Sequence, residues 1–285
     1  MTVVDLRVSS GGISLAVTVA GPGGHEGDDG GRSPVVLLHG FPDSGRLWRH
    51  QVPALVAAGH RVIVPDLRGC GSSDKPAELG AYGLAHLVGD VVALLDSVGA
   101  PKAHLVGHDW GSVLAWVTAA AAPARVDRLV ALSVGHPQAF REAGFEQREK
   151  SWYMLLFQFP RVAERWLSSN DWANFRRWAR HPDVDDVIAD IEADGSLTSA
   201  LGWYRANLAP ETWLDGGVAV PPVAAPTLGI WSSGDIALTE AQMTGSEAYV
   251  TGPWRYERID GAGHWMQLEQ PEVINCLLVD FLAGR

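Results

Sequence analysis

Ala103-His104-Leu105-Val106-Gly107-His108-Asp109-Trp110-Gly111 runs from an apolar stretch into the small-residue helical pattern of Ser112 to Ala122. That is strand, sharp turn and helix. Gly107 and Gly111 flank the turn because a chain that reverses so tightly leaves room only for small neighbours. Such an elbow lifts its central residue above the end of a strand, and the usual residue there is serine. Here it is Asp109. A carboxylate in that place can attack saturated carbon directly and form an ester. It suits the opening of a strained ring or the displacement of a leaving group, and it argues against ordinary ester hydrolysis. The plainer reading of the same residues is a Gly-rich turn with Asp109 as a helix N-cap, so the rest of the chain must decide.

Working outward, short apolar runs predict strands at Val3 to Val8, Ile13 to Val19, Pro34 to Leu38, Arg61 to Asp66, Ala103 to Val106, Arg128 to Leu132 and Thr227 to Trp231. Helical patterns lie between them at Gln51 to Ala58, Gly83 to Val98 and Ser112 to Ala122, and Val273 to Leu282 closes the chain. This alternation predicts an α/β fold, a mostly parallel sheet flanked by helices. It breaks between about His136 and Gly216. There Trp152, Trp166, Trp172, Trp178, Trp203 and Trp213 fall at helical spacings. We read residues 136–216 as a helical cap over the C-terminal edge of the sheet, where open α/β sheets bind ligands, with most of those tryptophans as its core. Residues 1–135 and 217–285 form the core domain. The Gly/Asp-rich loop from Gly21 to Arg32 is expected to be mobile and without function.

A chain of 285 residues, 47% hydrophobic, can bury one large core with an insertion. Its net charge of −11 argues against nucleic acid or an anionic membrane surface as partner. No basic-then-apolar leader and no long uncharged apolar run is visible, so the expected location is the cytoplasm. Cys70 and Cys276 are too far apart in sequence to suggest a metal cluster or a disulfide framework. No motif calls for a cofactor or a metal.

The constellation around Asp109 carries the chemistry. His39-Gly40-Phe41-Pro42-Asp43 follows a strand and can aim the Phe41 N–H above the elbow; with the Trp110 N–H it makes a two-donor oxyanion hole. Most of the ten histidines read as bland. His25 lies in the loop, and His50, His60, His86 and His181 fall in polar, exposed contexts. His136 is a turn residue, His104 a strand residue, and His108 an elbow neighbour facing away. His39 supports the oxyanion loop. His264, in Gly261-Ala262-Gly263-His264-Trp265, differs because nucleophile, acid and histidine come in that order in hydrolases of this kind. Asp235 fits the acid; it would hold the imidazole tautomer whose Nε2 takes a proton from water. Glu240 and Glu269 compete for that role. Asp66-Leu67-Arg68-Gly69-Cys70-Gly71-Ser72-Ser73-Asp74 reads as a structural turn.

These residues resemble the epoxide hydrolase branch of the α/β-hydrolase fold, over nearly the whole chain. The match rests on His39-Gly40-Phe41-Pro42, Gly107-His108-Asp109-Trp110-Gly111, Asp235 and Gly263-His264-Trp265. Two cap segments sharpen it: Trp152-Tyr153-Met154-Leu155-Leu156-Phe157-Gln158-Phe159-Pro160, continuing to Val162-Ala163-Glu164, and Gly202-Trp203-Tyr204-Arg205. The resemblance implies that Tyr153 and Tyr204 hydrogen-bond the oxirane oxygen. A phenol is protonated at neutral pH and can supply the proton that an opening epoxide needs. One departure is Arg161, where the family often has glycine.

The resemblance therefore implies hydrolysis of an apolar epoxide to a vicinal diol through an ester on Asp109. Trp110, Phe41, Trp152, Trp203 and Trp265 are the expected substrate-contacting aromatics. Epoxide and water are the expected partners, and a homo-oligomer stays open. The nearest rival is a haloalkane dehalogenase. Phe41, however, stands where that family typically has an asparagine that helps to hold halide. A fluoroacetate dehalogenase usually has arginine where Trp110 stands. A non-catalytic binding module on the same scaffold would not need a nucleophile, acid, histidine and two cap tyrosines together.

Overall fold

The computed structural model describes residues 2–22, 32–212 and 219–284. Most of the loop from Gly21 to Arg32, His25, Trp213 and the boundary expected at residues 216–217 lie outside them.

One sheet of eight strands has the order β1-β2-β4-β3-β5-β6-β7-β8. The strands are β1 Val3–Ser10, β2 Ile13–Ala20, β3 Val35–Leu38, β4 Val62–Pro65, β5 Ala103–His108, β6 Val126–Leu132, β7 Thr227–Ser232 and β8 Trp254–Ile259. The first two form a hairpin through Gly11 and Gly12, both at positive φ. The β2 strand pairs antiparallel with β4, and every later pairing is parallel. The central strands are buried along their whole length. They read as continuous Val/Ile/Leu runs because helices cover both faces.

The β8 strand was not anticipated. Trp-Arg-Tyr-Glu-Arg-Ile sits at the sheet edge and is only partly buried. A search for uninterrupted apolar runs finds central strands and passes over an edge strand that alternates charge with aromatic rings.

Between β6 and β7 the described residues hold helices and no named strand. They include Gly144–Lys150, Trp152–Phe157, Val162–Ala179, Val184–Asp194 and Leu197–Asn207. The third is broken at Ser169–Trp172, whose backbone is non-helical. Trp172 and Trp203 are buried in the hydrophobic core, whereas Trp152 is 48% exposed. Arg161 precedes Val162–Ala179 at φ 66 and ψ −31, a left-handed conformation that favours glycine. The departure from glycine at this position is thus accommodated in the backbone that glycine would take.

His50 and His86 are exposed as expected, but His60 and His181 are not. His60 packs edge-to-face on His104. His181 is enclosed between the helical region that follows β6 and the loop after β3, with consequences described below. Polar neighbours in sequence misled the reading, because both imidazoles turn inward onto partners distant in the chain.

Candidate active site

The elbow after β5 holds Asp109 at φ 53, ψ −122. The glycines around it are required by contact. A Cβ on Gly107 would lie 2.1 Å from the Gly111 carbonyl oxygen, and one on Gly111 would lie 2.0 Å from that of Leu38. A Cβ on Gly40 would lie 2.3 Å from Asp109 Oδ1. Gly40 therefore leaves room for the carboxylate itself.

The two oxygens of Asp109 have different surroundings. Oδ1 accepts the Phe41 N–H at 2.8 Å. Trp110 opens the helix Trp110–Ala121, so its N–H is among the donors that a helix leaves without an internal partner. Oδ2 faces His264 Nε2 at 3.6 Å. His264 Nδ1 donates to Asp235 Oδ2 at 2.9 Å, and Asp235 Oδ1 accepts the Ala237 and Leu238 N–H groups. All three side chains are buried. Burial alone would lower the proton affinity of His264; the Asp235 and Asp109 carboxylates outweigh it and raise its pKa to about 10. Burial would raise Asp235, but His264 and its backbone donors hold it below the usual carboxylate range.

The competing acids are committed elsewhere. Glu240 accepts from Tyr256 and Arg258. Glu269 accepts the Gly263 N–H at 2.9 Å and so shapes the loop that carries His264.

Tyr153, on Trp152–Phe157, and Tyr204, on Leu197–Asn207, belong to the helices between β6 and β7, with ring centroids 6.2 Å apart. Both line a cavity of about 330 Å³ together with Asp109, Phe41, His264 and Trp265. Burial first, and then the Asp109 charge, keeps both phenols protonated well above their ordinary range. The Trp110 and Tyr204 rings pack edge-to-face with centroids 5.1 Å apart. Of the expected substrate-contacting aromatics, Phe41, Trp152 and Trp265 line the cavity. Trp203 and Trp110 do not. Trp203 turns its indole away to donate to the Arg68 carbonyl at 2.9 Å, and Trp110 packs behind Tyr204.

The chain as a whole matches known proteins. Residues 33–271 match the α/β-hydrolase fold family model. Epoxide hydrolase A of Mycobacterium tuberculosis is 33% identical over 97% of this chain and 96% of its own. The chain belongs to the epoxide hydrolase family of α/β hydrolases. Among solved structures, epoxide hydrolase A of Mycobacterium thermoresistibile superposes with a TM-score of 0.82 at 33% identity, over 99% of both chains. A Bacillus megaterium epoxide hydrolase with its product (R)-3-[1]naphthyloxy-propane-1,2-diol superposes with a TM-score of 0.84 at 27% identity, over 98% of this chain and all of that one.

Within this epoxide hydrolase, further side chains tie the site together. Arg205 grips Glu164 with two nitrogens and donates to the Phe157 carbonyl, while Gln158 donates to that of Tyr204. These bonds clamp the two tyrosine helices to one another. Gln147, fully buried, joins the helix Gly144–Lys150 to the loop after Asp235 through Ala237 and Thr239. His108 lies under His264 with ring centroids 4.7 Å apart. Burial, and then the His264 charge, lowers its pKa to about 4, so the neutral ring donates from Nε2 to the His264 carbonyl. His39 accepts the Leu67 N–H at Nε2 and donates from Nδ1 to the Gly40 carbonyl, bracing the oxyanion loop. Chain order pointed to His264 and the turn after β3 to His39, but nothing in local sequence pointed to the tethers of Arg205, Gln158, Gln147 and His108, since each joins segments far apart in the chain.

Proposed function

We propose that this protein hydrolyses epoxides to vicinal diols through a covalent ester on Asp109. The observation that carries this reading is the asymmetry of the carboxylate, with Oδ1 bound by the Phe41 N–H and Oδ2 turned toward His264. Oδ2 is the attacking atom. It bonds to one oxirane carbon, the C–O bond opens, and the released electron pair goes to the oxirane oxygen. A cap phenol, Tyr153 or Tyr204, gives that oxygen its proton. The resulting ester carries no charge. His264 thereby loses one of the two carboxylates that held its proton; that proton leaves to restore the phenol that gave its own to the oxirane oxygen, and the neutral imidazole becomes a base.

Water then gives a proton to His264 Nε2 and attacks the Asp109 carboxyl carbon. Negative charge gathers on Oδ1, facing the N–H groups of Phe41 and Trp110. The bond from that carbon to Oδ2 breaks, and the diol leaves with Oδ2 as its new hydroxyl, protonated by His264. Asp235 keeps the imidazole in the required tautomer. In this scheme residues 136–216 act as the cap that brings the acids to the substrate.

A dehalogenase reading needs a free donor for halide. Phe41 offers none from its side chain, and Trp110 does not line the cavity. The test is a single turnover of styrene oxide in heavy-oxygen water. The label is expected in the peptide containing Asp109, with the diol largely unlabelled. Label in the first-turnover diol and none in that peptide would overturn the ester, and an absence of diol at high enzyme would overturn the activity.

A further inference from the structure

Eight large apolar side chains stand exposed among the described residues, and five of them lie between Phe145 and Val162. They are Phe145, Trp152, Leu155, Phe159 and Val162, with Phe145 at 72% exposure and Phe159 at 59%. Trp152 and Leu155 are three residues apart on the helix Trp152–Phe157, which places them on one face. Helical turns continue from there: the Phe159 N–H donates to the Leu156 carbonyl, and the Ala163 N–H to that of Phe159. Val162 opens the next helix, whose Trp166 packs edge-on against Trp152 with centroids 5.8 Å apart. Scattered apolar side chains on a surface are ordinary, but a group gathered in one place marks an interaction surface.

The same part of the chain is basic. Residues 145–180 hold seven Lys/Arg against four Asp/Glu, in a protein of net charge −11. Arg148, Arg161 and Arg165 are exposed, and their side chains make no ion pair among the described residues. Of the four acids, Glu164 is engaged by Arg205, while Glu146, Glu149 and Asp171 are exposed. The overall charge argues against an anionic surface as a partner of the molecule at large. Charges more than about 8 Å away are screened at physiological ionic strength, however, so this face acts through its own balance. A second copy related by a two-fold axis would set the basic face against itself. An anionic lipid surface complements it, and Trp, Phe and Leu beside arginine is the composition of segments that lie in a lipid interface. No described helix is long and apolar enough to cross a membrane, so the contact is a superficial one.

We propose that this face docks on an anionic lipid surface. Phe145, Leu155, Phe159 and Val162 enter the boundary between headgroups and acyl chains, and Arg148, Arg161 and Arg165 meet the lipid phosphates. Trp152 belongs to the exposed group and also, with Trp166, to the wall of the cavity beside Asp109. The cavity therefore opens beside the patch, and docking sets its mouth against the lipid, where an apolar epoxide would concentrate. That last consequence rests on the epoxide hydrolase reading; the docking itself does not.

The experiment is co-sedimentation with vesicles of equal parts phosphatidylcholine and phosphatidylglycerol, and with vesicles of phosphatidylcholine alone. The unaltered protein should bind the anionic vesicles more tightly, and added salt should narrow the difference. Leu155→Ser/Phe159→Ser should weaken binding to the anionic vesicles by about tenfold or more, the scale of returning two apolar side chains to water. Arg161→Gln/Arg165→Gln should bring it toward the level of phosphatidylcholine alone. Leu79→Ser/Val273→Ser, which alters exposed apolar side chains elsewhere on the surface, should leave it unchanged. Circular dichroism shows whether each variant is folded. No binding by the unaltered protein, equal binding to both vesicles, or full binding by a folded Leu155→Ser/Phe159→Ser variant overturns the proposal. A dimer in sedimentation equilibrium that this variant dissociates, without vesicle binding, overturns it in favour of a second copy. Styrene oxide turnover in vesicle-free buffer is read separately, so its absence would count against the epoxide hydrolase reading and leave the docking result to stand by itself.

Discussion

Trp265 Nε1 donates to Asp43 Oδ2 at 2.9 Å, fastening the residue after His264 to the residue that closes the oxyanion loop. Asp43 Oδ1 accepts from His181 Nε2 at 3.1 Å, and the Asp183 N–H donates to His181 Nδ1. His181 also packs edge-on against Trp265. One buried carboxylate thus joins the histidine loop, the oxyanion loop and the cap. Burial would raise Asp43, but His181 and Trp265 hold it below the usual carboxylate range. Trp265→Phe keeps an aromatic ring and removes the donor. Chemical denaturation should show a stability loss of about 1.5–3 kcal/mol, the scale of a hydrogen bond to a charged group. A loss too small to measure would mean that the bond does not hold the loops together.

The two cap phenols should act as a pair. Tyr153→Phe or Tyr204→Phe should each slow ester formation by about 2–4 kcal/mol in barrier, by analogy with loss of an oxyanion-hole donor. The double variant should have almost no activity. Rapid-quench measurement of epoxide loss decides this, and near-normal turnover in the double variant would remove the tyrosines from the mechanism.

His264 should separate the two chemical steps and their pH dependence. His264→Ala should consume about one equivalent of epoxide and then hold its mass as an adduct on Asp109, visible by intact-protein mass spectrometry. In the unaltered protein, ester hydrolysis needs neutral His264 and should slow as pH falls. Its apparent pKa should lie below the value of about 10 of the free enzyme, since ester formation removes the Asp109 charge. Stability should run the other way. The folded pKa is raised, so the stabilisation is complete below the ordinary histidine value of about 6.5 and is lost as pH climbs through about 10. A hydrolysis step with no pH dependence would contradict His264 as its base.

Arg161 should be a site where glycine stabilises. At φ 66 a side chain pays a steric cost of about 1–2 kcal/mol that glycine escapes. The greater freedom of glycine in the unfolded chain returns about 0.5–1 kcal/mol of that. Arg161→Gly should therefore raise the denaturation midpoint by a small amount, and a clear fall would show that the arginine side chain makes a compensating contact.

The sequence by itself determined the scaffold and the order of the chemistry. Unbroken apolar runs marked the central strands because strands buried on both faces have no solvent-facing positions to mark them otherwise. Gly107 and Gly111 marked the elbow because no larger residue fits between the Leu38 carbonyl and the turn of the helix. Those are local constraints, and local sequence records them. Tertiary structure decided the rest. It turned Trp203 toward Arg68 and away from the cavity, enclosed His181, and clamped the two tyrosine helices through Arg205. Each of these depends on which segments meet in space, and a buried polar side chain takes whichever partner the packing brings within reach. An edge strand such as β8 belongs to the same class, since its half-exposed pattern acquires meaning only beside β7.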